Sequence, residues 1–192
     1  MRGTARDPPT WKLPAKSVCR SPDYRNDLER LRGAGLDAEA CYESLVIADI
    51  KAACTLLQPV YADRGGDTGY VSLEVSPELV PDTAATVAAA HCLCQAVGRA
   101  NVLIKVPGTP AGIGTFEQLT AAGLRVNVTL IFSLTQYEVV AQAYLRGAQA
   151  WLDGGGHPEQ LRAVASTFLS RFDTAVGQRL GTWRSATAGG RP

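Results

Sequence analysis

One amine stands out in this chain. In Asn101-Val-Leu-Ile-Lys105-Val-Pro-Gly-Thr109, apolar residues flank a single lysine and a Pro-Gly turn follows at once. That pattern reads as a buried strand ending in a loop. Desolvation penalises the charged form of an amine, and a neutral amine is a nucleophile towards carbonyls. The alternative is a strand-end lysine that keeps its head in water. Neighbouring runs carry further polar groups. Glu74 sits between Leu73 and Val75. Asn127 and Thr129 are two apart, so both leave one face of a strand. Ser166 lies in the next run and Arg171 just beyond it. Singly, each has an ordinary explanation: an edge pair for Glu74, backbone bonding for Asn127 and Thr129, a first-turn charge for Arg171. Together they place polar groups on every consecutive run, where an unpaired buried carboxylate or amine costs several kcal/mol. The chemistry such a set serves is carbonyl addition. Lys105 attacks a ketone, and loss of water leaves an iminium, an electron sink for carbon–carbon cleavage. Glu74 can activate a bridging water for proton transfer. Asn127, Thr129 and Ser166 can hold hydroxyls, and Arg171 can clamp a terminal phosphate.

The elements that position these groups follow from periodicity. Residues 1–20 have no periodicity and contain Pro8, Pro9 and Pro14, which suits a disordered or poorly packed leader. A short polar helix is expected over 23–33, with Leu28 and Leu31 on one side. A longer one is expected over 37–58, where Val46, Ile50, Ala53 and Leu57 recur on one face. Asp37 can cap it, Pro59 marks its end and Gly65-Gly66 a break. Alternating elements follow: strand 70–75, helix 82–97, strand 101–106, helix 113–122, strand 125–132, and a helix over 134–152 with Ser133 as N-cap. After Gly154-Gly-Gly156 come strand 162–169, a helix over 173–180 and a frayed tail, 181–192. Strands separated by helices form a parallel sheet. Right-handed crossovers leave a doubly wound sheet or a (β/α)₈ barrel, whose site lies at the carboxyl ends of the strands. Gly108, Gly112 and Gly114 complete no nucleotide-binding fingerprint.

The chain has 192 residues and a net charge of +1, which suits one domain without a basic nucleic-acid surface. No uninterrupted apolar run nears the ~18–20 residues of a membrane span, and the basic N-terminus lacks the apolar stretch of a secretory signal. Five cysteines without framework spacing fit a reducing cytoplasm. His91-Cys92-Leu93-Cys94 falls in a helical pattern whose side chains fan round the axis, so buried small hydrophobes are expected there and no metal.

Four segments, Y-V-S-L-E-V-S-P, N-V-L-I-K-V-P-G-T-P-A-G, V-N-V-T-L-I-F-S-L-T-Q-Y and A-S-T-F-L-S-R-F-D-T, closely resemble successive strand motifs of bacterial transaldolases. The resemblance runs from about Ser21 to Leu180. It implies a (β/α)₈ barrel without a cofactor, which moves a dihydroxyacetone unit from a ketose phosphate such as sedoheptulose 7-phosphate to glyceraldehyde 3-phosphate in the pentose phosphate pathway. It also implies that Lys105 is the Schiff-base lysine and that Glu74 positions the catalytic water. Asn127 and Thr129 then bind hydroxyls and water, and Ser166 and Arg171 bind substrate and phosphate. Phe168 stands where related fructose 6-phosphate aldolases carry tyrosine, which favours transfer over simple aldol cleavage.

The family's first-strand aspartate and second-strand T-S-N-P motif have no counterpart before Ser21. The expected product is therefore a partial barrel truncated at both ends, family strands three to six behind an unrelated leader. Its two open sheet edges invite association with another chain. An inert remnant, a fragment needing complementation and another Schiff-base sugar-phosphate aldolase are the competing expectations.

Overall fold

A computed structural model describes residues 21–188. Its strands are β1 (Val71–Glu74), β2 (Val102–Pro107), β3 (Val126–Thr129) and β4 (Ala163–Ala165). Its helices are α1 (Arg25–Gly33), α2 (Ala38–Asp63), α3 (Thr83–Val97), α4 (Pro110–Ala121), α5 (Leu134–Asp153) and α6 (Leu169–Ala188). The four strands form one parallel sheet in the order β1-β2-β3-β4. A doubly wound sheet reverses its strand order at a switch point. Here the order never reverses within the sheet, which is the progression of a barrel wall. The chain is thus an α/β protein with four consecutive strands of a partial (β/α)₈ barrel, flanked by helices.

Alternation gives the sheet two unlike faces. Val71, Leu73, Ile104, Val106, Val126 and Val128 share a core with Ile50 of α2, Ala90 of α3, Phe116 and Leu119 of α4 and Val140 of α5. The opposite face carries Ser72, Leu103, Lys105, Asn127 and Thr129, all buried. A smaller cluster of Leu31, Cys41 and Leu45 docks α1 on α2, with Tyr24, Leu28 and Leu36 packed around it.

Helix starts follow local chemistry. Asp37, Asp82 and Ser133 cap α2, α3 and α5 by accepting from the amides of Ala40, Ala85 and Gln136. The boundaries differ from the sequence expectation by three or more residues in five elements. First, α2 continues through Pro59 to Asp63. The carbonyl that the proline leaves without a donor belongs to exposed Thr55, on the solvent side, where water can serve it. Second, α4 starts at Pro110, because Thr109 accepts from Gly112 and proline suits the first helical position. Third, β3 stops at Thr129, because Leu130 turns into the left-handed region at φ 61°. Fourth, β4 has only three residues. Fifth, α6 begins at Leu169 and runs to Ala188, so residues 181–188 are helical where a frayed tail is expected. The expected leader, 1–20, lies outside the described residues.

Two compositional readings also change. The 26-residue α2 is long and apolar enough to cross a membrane by length and composition, a property missed by counting unbroken apolar runs. Its Ile50 and Cys54 are nevertheless buried in the core against the sheet. In α3, Cys94 packs against the core but Cys92 is exposed, so the Cys92–Cys94 pair is not uniformly buried.

Candidate active site

The register brings the polar groups into line. Glu74 pairs with Lys105 across β1 and β2, and Lys105 pairs with Asn127 across β2 and β3. Asn127 in turn pairs with Val164 of β4. A barrel of eight strands with a shear of 8 climbs by about one residue per strand, and alternate strands share a layer. Residues two strands apart and two register positions apart therefore stand at one height. By that rule Ser72 is level with Asn127, Lys105 with Ser166, and Glu74 with Thr129.

Hydrogen bonds agree with this stacking. Asn127 Nδ2 donates to Ser72 Oγ at 3.0 Å, across the front of β2. Ser166 Oγ donates to Asn127 Oδ1 at 2.8 Å. The Asn127 amide is thus held at both ends. Leu103, one level lower, is fully buried and floors the site. Above it come the Ser72–Asn127 pair, then Lys105 with Ser166, then Glu74 with Thr129 at the carboxyl ends of the strands.

Lys105 is 9% exposed. No hydrogen bond or ion pair holds its amine among the described residues. Thr129 Oγ1 is buried and has no hydrogen-bond partner among the described residues. Such a hydroxyl costs about 1–3 kcal/mol. A water or substrate hydroxyl at the level of Glu74 offsets that cost.

The remaining two expected residues stand apart from this group. Phe168 is 39% exposed and stacks on Phe132, with ring centroids 6.4 Å apart. Arg171 lies exposed in the first turn of α6, its backbone amide donating to Phe168 O at 2.9 Å and its guanidinium without a hydrogen bond or ion pair among the described residues. The geometry therefore joins Glu74, Lys105, Asn127, Thr129 and Ser166, while Phe168 and Arg171 lie at its outer margin.

Two residues escape sequence reasoning. Ser72 is one; its two-residue spacing from Glu74 is the same signal that pairs Asn127 with Thr129. Gln136 is the other. Its Nε2 donates to the carbonyls of Gly108 at 2.7 Å and Leu130 at 3.0 Å, and its Oε1 accepts from Phe132 N at 2.9 Å. This one side chain from α5 clamps the loops that follow β2 and β3, the rim of the site. Gly108 N also donates to Thr129 O at 2.7 Å. Gly112 lets the β2–α4 loop close, since a Cβ there would overlap the Pro107 carbonyl.

No three His, Cys, Asp or Glu side chains among the described residues form a group able to hold a metal ion. Fold and site together define a barrel-type parallel sheet whose polar face centres on a shielded amine at the carboxyl ends of its strands. The model of the Transaldolase/Fructose-6-phosphate aldolase family matches residues 12–190, a span wider than the 21–180 covered by the sequence resemblance. The chain belongs to that family. It is 48% identical over 178 residues to a transaldolase of Thiobacillus denitrificans, covering 91% of this chain and 50% of that protein. It is 43% identical over 165 residues to transaldolase 2 of Nostoc sp., covering 86% of this chain and 43% of the relative. Transaldolase 1 of Streptomyces coelicolor is 42% identical over 157 residues, with 82% and 41% covered. The chain thus spans about half the length of the curated relatives it matches.

Proposed function

We propose that this chain carries the Schiff-base half of a transaldolase. Lys105 adds to the ketone of a ketose phosphate such as sedoheptulose 7-phosphate. The amine nitrogen bonds to the carbonyl carbon, the oxygen leaves as water and an iminium remains. A proton then leaves the C4 hydroxyl and the C3–C4 bond breaks. Its electron pair flows into the iminium, giving a dihydroxyacetone enamine and a free aldehyde. The enamine attacks glyceraldehyde 3-phosphate by the reverse steps, and water releases the new ketose. The electron sink is the lysine's own iminium.

Each neighbour has a place in this reading. A water between Glu74 and Thr129 moves the protons, with the carboxylate as acceptor. Asn127 and Ser166 meet sugar hydroxyls. Arg171 takes the phosphate, and Phe168 borders the same end. The free thiols Cys41, Cys54, Cys92 and Cys94 favour a reducing cytoplasm as the setting.

The observation that carries the proposal is the shielded Lys105, its amine without a partner among the described residues, in register between Glu74 and Asn127. The test is to incubate the chain with fructose 6-phosphate and borohydride, then map the reduced adduct by peptide mass. An adduct at Lys105, absent in Lys105→Met, is the expected result; folded parent chain without one sinks the reading. Product analysis with and without an aldehyde acceptor separates transfer from aldol cleavage. A second reading concerns assembly. The outward face of β4 is open, with Ala163 and Ala165 exposed, which favours association of the sheet edge with a second chain. Sedimentation decides it: a concentration-independent monomer rules it out.

A further inference from the structure

We infer that Ser72 is a positioning residue of the ketose-binding site, acting through the amide of Asn127. The inference rests on the Lys105 reading above. Ser72 is fully buried on β1, two strands away from Asn127. It accepts from Asn127 Nδ2 at 3.0 Å, while Asn127 Oδ1 accepts from Ser166 Oγ at 2.8 Å. An amide can turn over and exchange its oxygen and nitrogen at little intrinsic cost. In this structure the nitrogen faces β1 and the oxygen faces β4, and the bond to Ser72 anchors the amide at its β1 end.

That orientation fixes the polarity of Ser166. A hydroxyl has one proton. Ser166 spends it on Asn127 Oδ1, so it turns only lone pairs towards the level it shares with Lys105. Ser166 is then an acceptor for substrate hydroxyls beside the reacting amine. With the Ser72 bond gone, the amide can turn over, Nδ2 donates to Ser166, and the Ser166 proton points into the site instead. A substrate hydroxyl that donates to Ser166 then meets a proton where it met lone pairs, and one of the two lone pairs is taken by Nδ2.

The experiment compares the parent chain with Ser72→Ala, Ser72→Thr and Asn127→Ala. One readout is the fructose 6-phosphate dependence of adduct formation at Lys105 under borohydride. The other is the Asn127 side-chain amide signal in nitrogen–proton correlation spectra, which reports whether the group is pinned. In Ser72→Ala the half-saturating sugar concentration should rise about three- to ten-fold, the scale of one neutral hydrogen bond. The limiting trapping rate should hold within about two-fold, because Ser72 touches neither Lys105 nor the substrate carbon. Ser72→Thr keeps the acceptor and should restore most of the affinity even if its extra methyl lowers the melting temperature. In an Asn127→Ala background, Ser72→Ala should add nothing, since the two act as one unit.

A Ser72→Ala chain with lower stability, unchanged half-saturation and an unmoved Asn127 signal overturns the inference. So does additivity of the two substitutions. If the parent chain forms no adduct at all, the Lys105 reading fails, and the Asn127 signal still decides whether Ser72 holds the amide. An unmoved signal in that case overturns the hold as well.

Discussion

The two ends of the sheet are built differently. β1, β2 and β3 lie under α2 to α5, and their helix-facing residues, Val71, Ile104, Val126 and Val128 among them, are fully buried. β4 has three residues, exposed at Ala163 and Ala165. The described apolar side chains of α6 stand away from it: Leu169 is 69% and Val176 55% exposed. An open groove of about 370 Å³ runs between α5 and β4, lined by Tyr137, Tyr144, Leu145 and Ala165. The groups that do bond chemistry in the proposed reaction come from the covered strands. Those assigned to the phosphate end, Phe168 and Arg171, stand at the uncovered one. On that proposal, burial disciplines the amine that reacts, whereas the charge that meets a phosphate can wait in solvent.

Substitutions measure that contrast most directly. Ile104→Ala empties a fully buried position in β2 and should cost about 2–5 kcal/mol. Gly147→Ala, where α5 crosses α4 so closely that a Cβ would lie 2.6 Å from the Glu117 carbonyl, should cost about 1–3 kcal/mol. Val176→Ala on α6 should stay within about 0.5 kcal/mol. Denaturant unfolding of the three variants checks the order. A Val176→Ala loss as large as that of Ile104→Ala would show that α6 is packed in solution and would erase the contrast.

Most of the covered half can be read in the chain, because its signals are local. Period-two alternation marks β1 to β3, and the capping residues Asp37, Asp82 and Ser133 mark helix starts. The polar set Glu74, Lys105, Asn127 and Thr129 is visible because each interrupts an apolar run. What cannot be read there is the step between strands. The offset that makes Ser72 a neighbour of Asn127 arises from barrel shear, which no single run encodes. The reach of Gln136 into two loops depends on where α5 lands, and the left-handed turn at Leu130 has no glycine to announce it. At the other end, Thr167-Phe168-Leu169 carries strand-like residues, but no strand among the described residues pairs with them, and the backbone enters α6 instead.

A smaller effect tests burial within a single covered helix. Cys54 and Cys94 lie under the sheet's cover, and burial pushes both thiols up to about 11. At pH 8 such a thiol is ionised only to about one part in 10³, whereas an ordinary exposed one is ionised to a quarter or so. Cys92, two residues from Cys94 on α3, is exposed. Iodoacetamide should therefore label Cys92 before Cys54 and Cys94, which stay protected until the fold opens. Peptide mass mapping over a time course reads the order. Early labelling of Cys54 would mean that α2 leaves the sheet more readily than its buried face allows.

A further small effect lies at the margin of the covered half, where α1 docks on α2. Tyr24 Oη donates to Asp49 Oδ2 at 2.6 Å. That hydrogen bond, with burial and the Asp49 charge behind it, raises the phenol to about 12 from its usual 10.0. The bond needs the protonated phenol. Its contribution is therefore complete below the unfolded value near 10 and drains away as pH climbs towards about 12. Tyr24→Phe should lower stability by no more than about 1 kcal/mol at neutral pH, and it should remove that part of the alkaline dependence. Phenolate absorbance of the folded chain, followed against pH alongside unfolding, tests both. If Tyr24 ionises at its ordinary value, α1 is not held by this bond. The Leu31–Cys41–Leu45 cluster alone must then fix it, and even the edge of the covered half is secured by packing rather than by polar contact.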